Sequence, residues 1–331
     1  MPPFLPVGVA AGLATALLFA SASAGGVAGR FILFFLAPLP SYLAGLGWNS
    51  AAAAVAAVVG AVVASAFLGL QTGAVFFLSQ GVPMVVLCHL AMLNRPAAGP
   101  GAPQPAVEWY PIGRLVAVAT LMAGGLASLS MLLLGADIEQ IKTLTRELVD
   151  KFVAPQLPGL GGAQLGEAEK DALATLLLHA LPAGSAVFWL GGFLGNLWLA
   201  AKILAVSGRF TRIWPIFTEV QFPPRFGWGL ALALALSLLP GMPGLLATGF
   251  AGAFLFAYVL VGLAIIHHGT RGLPARPFIL WALYFSLLIL NTWAALVVAM
   301  IAILEPLMWY RRRFGPGPPT RPPPGPPARP D

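Results

Sequence analysis

Charge is scarce in this sequence. Of 331 residues, 9% are Asp, Glu, Lys or Arg, whereas a soluble domain carries roughly 25%. Hydrophobic residues make up 59% and the mean hydropathy is +0.87. A chain this size cannot cover itself with so little polar surface, which excludes a soluble fold and, for most of its length, disorder. Cysteine is scarcer still. The single Cys88 permits no internal disulfide. No G-x-x-x-x-G-K-[ST] phosphate loop, H-E-x-x-H or G-x-S-x-G motif occurs, so the apparatus of ATP or ester hydrolysis is missing. The four histidines show no metal-ligand spacing. These absences point away from an enzyme, a metal site or a bound cofactor. Basic residues are scattered singly between apolar runs, which disfavours nucleic acid as a partner.

What is present is a series of continuous apolar runs. Continuous runs, rather than the alternation of a β-barrel, predict helices that satisfy their own backbone hydrogen bonds. The fold class is therefore all-α: a polytopic transmembrane helix bundle of about eight to ten spans, at roughly 20 residues each. The N-terminal run to Ala24 follows no basic residue and predicts a retained first span rather than a signal peptide. The second, Phe31 to Leu46, contains Pro38 and Pro40, which break or kink a helix. Ala51 to Leu70, Gly73 to Leu93 and Leu115 to Leu134 supply three more. The turn formers from Arg95 to Pro105 predict a loop. Residues 135–171 hold seven acids and four bases and predict an extramembrane amphipathic helix, with Ile138, Ile141, Leu144, Leu148 and Phe152 on one face. Leu173 to Leu204 is longer than one span needs, and Pro182 is expected to divide it, with a lead-in helix entering at Glu167 and the span over Ala186–Leu204. Trp228 to Leu239 is short, and Leu245 to Ile266 spans again. The membrane domain covers 1–314, and residues 315–331, with nine prolines in seventeen positions, predict a disordered or polyproline tail.

Loops holding Arg95 and Arg114, Arg209, Arg212 and Arg225, and Arg271 and Arg276 are basic and are placed inside; the acidic 135–171 stretch and the Pro240–Gly244 turn fall outside. Phe278 to Tyr310 exceeds one crossing, so either a hairpin near Asn291-Thr292 returns Arg311, Arg312 and Arg313 to the inside or the last basic loop is misassigned; 33 residues fit two short tilted spans better than one.

Polar groups inside apolar spans are costly and mark candidate sites. Asn196 follows Gly191-Gly192-Phe193-Leu194-Gly195, a small-residue pair that permits close helix approach; its amide either bonds across helices or faces a substrate cavity. Asn291 lies in the terminal stretch. His89 near the end of span four and His179 in the lead-in helix are interfacial residues or ligands. Glu305 is either a proton-titrating carboxylate or a partner of Arg311 or Arg312.

Ala37-Pro38-Leu39-Pro40 with Gly45-Leu46-Gly47-Trp48, Glu108-Trp109-Tyr110-Pro111 with Gly113-Arg114-Leu115, Asn196-Leu197-Trp198-Leu199-Ala200, and the ending Glu305, Trp309, Tyr310, Arg311 together resemble the YybS-like bacterial integral membrane proteins, domain of unknown function 2232. Members often carry Asp in place of Glu305 and lack Pro306. The resemblance covers the chain to about residue 314. It implies a bacterial inner (cytoplasmic) membrane location and a distant relation to the substrate-binding subunits of energy-coupling-factor transporters, which bind a small molecule within a helix bundle and depend on separate ATPase and coupling proteins. In those subunits an Ala-xxx-Ala face docks the coupling protein; Ala10-xxx-Ala14 and Ala16-xxx-Ala20 match that spacing here. Two functions follow as expectations. One is a small-molecule-binding or transport component without its own ATPase, its cavity lined by the broken second span, Asn196 and Asn291, with His89 and Glu305 as further binding residues. The other is a membrane scaffold that engages envelope partners through Gly191, Gly195, Ala10, Ala14 and the proline tail.

Overall fold

The computed structural model describes residues 2–22, 27–96, 107–135, 137–156, 165–212 and 220–308. The proline tail, the Arg311–Arg313 cluster and the Leu157–Gly162 loop lie outside the described residues. Seven stretches are long and apolar enough to cross a membrane: Phe4–Ser21, Gly29–Gly47, Ser50–Leu68, Leu70–Met92, Ile112–Leu134, Glu167–Val206 and Met242–Gly269. Three shorter apolar helices join them among the described residues. The fold is an all-α membrane bundle.

The chain forms two compact units, Met1–Ala257 and Tyr258–Asp331. In the first, α1 (Phe4–Ser21) packs on α4 (Ser50–Leu68). The contact is set by residue size. A Cβ on Gly8 would lie 2.8 Å from the Ala52 carbonyl, and one on Gly12 would lie 2.7 Å from that of Ala56, so backbones approach as only small residues permit. Asn49 caps α4 by accepting the Ala52 N–H at 2.9 Å, and Gly69, with φ +93, ends it. The second span is broken as the prolines predict, into α2 (Val27–Leu36) and α3 (Leu39–Gly47). A buried 2.7 Å hydrogen bond between Thr15 and Ser41 ties α3 to α1. The fourth span is α5 (Leu70–Phe76) and α6 (Val82–Met92), separated by a π-helical turn over Phe77–Gly81.

Of the loop expected over Arg95–Pro105, residues 97 onward lie outside the described residues; the chain on either side of it is paired. Two short strands, β1 (Asn94–Pro96) and β2 (Val107–Trp109), pair antiparallel with Arg95 opposite Glu108, and those side chains form a 2.8 Å ion pair. The buried Arg212 locks this ribbon to the bundle, donating to the carbonyls of Ala91 at 2.5 Å and Tyr110 at 2.9 Å. Desolvation lowers its pKa.

α7 (Ile112–Leu134) leads to α8 (Ile138–Leu148), the amphipathic helix. Its apolar face turns inward. Ile141 is fully buried and packs with Met131, Leu178 and Leu245, while Phe152, assigned to that face by periodicity, is 61% exposed. Ile141, Thr145 and Val149 hold the inward positions at helical spacing, and the second π turn, over Val149–Val153, carries Phe152 off that face. Arg146 clamps α8 to the next helix through Glu167 and Asp171, with Asp150 beside it.

Pro182 does not divide the following segment. α9 runs unbroken over Glu167–Val206 with Pro182 inside it, roughly 60 Å at 1.5 Å per residue. Ala174, Leu178, Pro182, Ala186 and Leu190 recur every fourth residue and are all buried, so the ring sits on the packed stripe. Tertiary packing there offsets the cost of an interior proline, about 3 kcal/mol. α10 (Phe226–Ser237) then packs on α11 (Met242–Gly269), with the Phe226 and Phe254 rings 4.8 Å apart. Ser128 of α7 donates to the Leu246 carbonyl of α11 at 2.8 Å.

The second unit takes the end of α11, α12 (Arg276–Ile289) and α13 (Thr292–Met308). The break falls at Asn291, whose φ of +40 is left-handed, a conformation Asn tolerates better than most residues. Seven residues before it, Tyr284 meets His267 at 3.3 Å; seven after it, Val298 closes on Gly262. Both arms therefore lie along one stretch of α11, as a hairpin requires. At about 21 and 26 Å, each arm is shorter than the ~30 Å hydrocarbon core.

Candidate functional site

The site grows from the break in the second span. Pro38 and Pro40 supply no N–H to the carbonyls four residues back, those of Phe34 and Leu36, and the turn at Ala37-Pro38 interrupts the ladder around the Phe35 carbonyl between them. A carbonyl freed at membrane depth needs a partner. Asn196 of α9 supplies it: its Nδ2 donates to the Phe35 carbonyl at 2.7 Å and to the Gly192 carbonyl, one turn back on its own helix, at 2.8 Å. Two carbonyl acceptors fix which end of the amide faces them, so the oxygen Oδ1 points away from both.

That oxygen makes no hydrogen bond to the protein. Two other buried atoms in the first unit share this condition, the Tyr42 hydroxyl of α3 and Oε1 of Gln80 in the π turn. Asn196 is 0% exposed, Tyr42 1% and Gln80 5%. All three residues line one pocket. Buried polar atoms are rarely left unpaired, since each costs about 1–3 kcal/mol. The three residues that carry them border one small space between α2, α3, the π turn and α9. Its volume is about 20 Å³, enough for one water molecule.

The rest of the wall is aromatic. Phe34 and Phe35 of α2 face Phe188 and Trp189 of α9, with the Phe34 and Phe188 rings 5.9 Å apart and 30° from parallel. Phe35 meets Phe188 edge-on at 5.9 Å, and Phe193 continues the row beyond Trp189 at 6.0 Å. Gln80 falls near the middle of the apolar stretch Leu70–Met92, and Asn196 in the second half of Glu167–Val206. A π turn that holds a polar residue at this depth is a feature often found at functional sites.

Among the residues singled out from sequence, the structure brings Asn196 together with the broken second span. It puts the others elsewhere. His89 is exposed on the last turn of α6. Asn291 is exposed at the left-handed turn before α13, where its role is conformational. Glu305 is half-buried near the end of α13 and makes an interaction there; Arg311 and Arg312 lie outside the described residues. Gly195 does not offer a face to an external partner, because a Cβ there would meet the Phe35 ring at 3.3 Å; Gly191 faces Phe256 at 3.8 Å. Ala10 is exposed and Ala14 half-buried, on the side of α1 opposite Gly8 and Gly12.

Sequence reasoning missed Tyr42 and Gln80. Gln80 carried a usable signal, a lone amide midway along an apolar run and three residues before Pro83. Tyr42 carried none, since tyrosine is ordinary near span ends.

A second concavity of about 780 Å³ lies between α8, the start of α9 and the α10–α11 turn, with His179, Lys142 and Arg146 on its rim. Its charges are already matched. Arg146 is held by three carboxylates, and Lys142 pairs with Glu139 at 2.7 Å.

The sequence profile of the predicted membrane protein family DUF2232 matches residues 13–304, and the chain belongs to that family. No curated protein and no solved structure matches it.

Proposed function

We propose that this member of the DUF2232 family is a small-molecule-binding component of a bacterial inner membrane, of the transport type and without an ATPase of its own, and that its binding site is the pocket beneath the Pro38 break. The observation that carries the reading is the presence of three unpaired buried polar atoms, from α3, the π turn and α9, around one space in an otherwise apolar bundle. Small-molecule sites have this make-up, apolar and aromatic walls with a few placed polar groups. Two of the three elements are interrupted beside the pocket, and such interruptions give membrane helices room to rearrange around a ligand. None of the described lining residues is a nucleophile paired with a base or a carboxylate, so the site is read as binding rather than catalysing.

Native mass spectrometry of the protein purified in lipid nanodiscs tests this. A small molecule should accompany the wild-type chain and be lost from Gln80→Leu, which removes the unpaired oxygen. A wild-type protein that carries lipid alone sinks the reading. The scaffold reading is supported by the close α1–α4 contact and by the small volume of the pocket. It predicts that Gln80→Leu leaves every cellular phenotype of the protein intact.

A further inference from the structure

We propose that the corner between α11 and α12 binds an anionic phospholipid, with the headgroup phosphate at Arg276 and His268 and one acyl chain along the exposed rings of α12. The whole site lies in the second unit.

Unpaired donors locate the headgroup. Nε of Arg276 and Nδ1 of His268 are buried atoms without a hydrogen-bond partner. Nδ1 of a histidine donates in one neutral tautomer and in the charged form. His268 lies in the last turn of α11, and Arg276 opens α12. The connection between them is short and tightly turned: the N–H of Arg271 donates to the His268 carbonyl at 3.1 Å, that of Leu273 to Thr270 at 3.2 Å and that of Arg276 to Leu273 at 3.1 Å. Both side chains therefore belong to one corner, and the exposed Arg271 stands on it as well. Buried donors are rarely left unpaired, because each costs about 1–3 kcal/mol. Other arginines have their partners: Arg212 has two carbonyls, and Arg95 and Arg146 have carboxylates.

Charge decides the class of headgroup. From 258 to 308 the described chain holds one acid, Glu305. No ion pair among the described residues involves Arg271 or Arg276. Guanidinium groups bind phosphate oxygens well, and basic side chains at a membrane surface attract anionic lipid. A zwitterionic headgroup would bring its own ammonium to a corner that already has two arginines. An anionic one brings only the charge that is missing.

The acyl chain has a track beside that corner. α12 buries no residue. Phe278, Trp281 and Phe285 are exposed and stack in sequence, with planes 26° and then 10° apart. Their spacing puts them on one face of the helix, over roughly 10 Å starting near the corner. A soluble phosphate would use the cations alone and a protein partner the rings alone. A phospholipid uses both, because its phosphate and its chain are joined at this spacing.

Native mass spectrometry of the full chain in detergent tests this, with phosphatidylglycerol and phosphatidylethanolamine of identical acyl chains as probes. The wild-type chain should retain phosphatidylglycerol at least about fivefold better, the effect of roughly one surface arginine. Arg276→Gln should erase that preference, whereas Arg114→Gln, at an exposed arginine of the first unit, should keep it. Trp281→Ala changes an exposed side chain and tests the site even if Arg276→Gln does not fold; it should lower retention of both lipids. Equal retention of the two lipids by the wild-type chain overturns the proposal. So does a preference that Arg114→Gln lowers as much as Arg276→Gln, since charge would then act without a site. Unchanged retention in Trp281→Ala overturns the track. Displacement of phosphatidylglycerol by glycerol phosphate would make free phosphate the ligand, and a lipid-free dimer lost in Trp281→Ala would make a second copy the occupant; either result overturns the lipid.

Discussion

At the residue scale, the informative atoms are the unpaired ones, and they behave differently from paired neighbours. The Tyr42 hydroxyl makes no protein hydrogen bond although the residue is buried. Tyr42→Phe should therefore leave stability unchanged or raise it by about 1 kcal/mol, read as the melting temperature of the detergent-purified protein. Asn196 is the contrast. Asn196→Leu deletes two hydrogen bonds and leaves the Phe35 carbonyl unpaired at membrane depth, a loss of about 1–3 kcal/mol. Equal melting temperatures for the two variants would count against this division. Asn196 was legible from sequence because an amide inside a Gly-rich apolar run is conspicuous. What it does there was not, since its partner Phe35 is 161 residues away.

At the element scale, the small residues of α1 have two different faces. Gly12 lies against the α4 backbone, whereas Ala10 is exposed. Gly12→Leu should abolish monodisperse protein in size-exclusion chromatography, and Ala10→Leu should leave it intact; the reverse order would mean that the packed face is misplaced. Alanine and glycine spacing alone could not choose between these faces, because the helix is small-residue-rich all round. The same limit applies to α8. Its apolar stripe was visible in periodicity, but the π turn after Leu148 moved Phe152 off it. Arg146→Gln removes the clamp to Glu167 and Asp171 and should speed amide hydrogen exchange over Ile138–Leu148. The exposed Arg95–Glu108 pair is a weaker case, and Arg95→Gln should change exchange in the ribbon little.

At the scale of the whole molecule, the hairpin around Asn291 decides to which side α13 leads. Two short arms along one helix bring the chain at Met308 back to the side from which α12 set out. Cys88 is fully buried, so single introduced cysteines report alone to a membrane-impermeant maleimide. Thr320→Cys should be labelled from the same side as Arg271→Cys and opposite to Lys142→Cys. Labelling of Thr320→Cys from the Lys142 side would require α12 and α13 to cross as one.

Composition determined the solvent, since 9% charge admits only a bilayer, and apolar run lengths determined that the spans are helices. Prolines 38 and 40 announced the break in the second span, because two missing N–H groups two residues apart interrupt the ladder twice within one turn. Pro182 announced a break that tertiary structure refused: its ring falls on the buried stripe of α9, and packing outweighs the lost bond. The pocket was legible in part: Asn196 and the broken second span stood out in the sequence, and Gln80 carried a weaker signal. That Tyr42, Gln80 and Asn196, far apart in sequence, border one space was decided only by tertiary structure. Local chemistry is written residue by residue, whereas convergence depends on which helices meet.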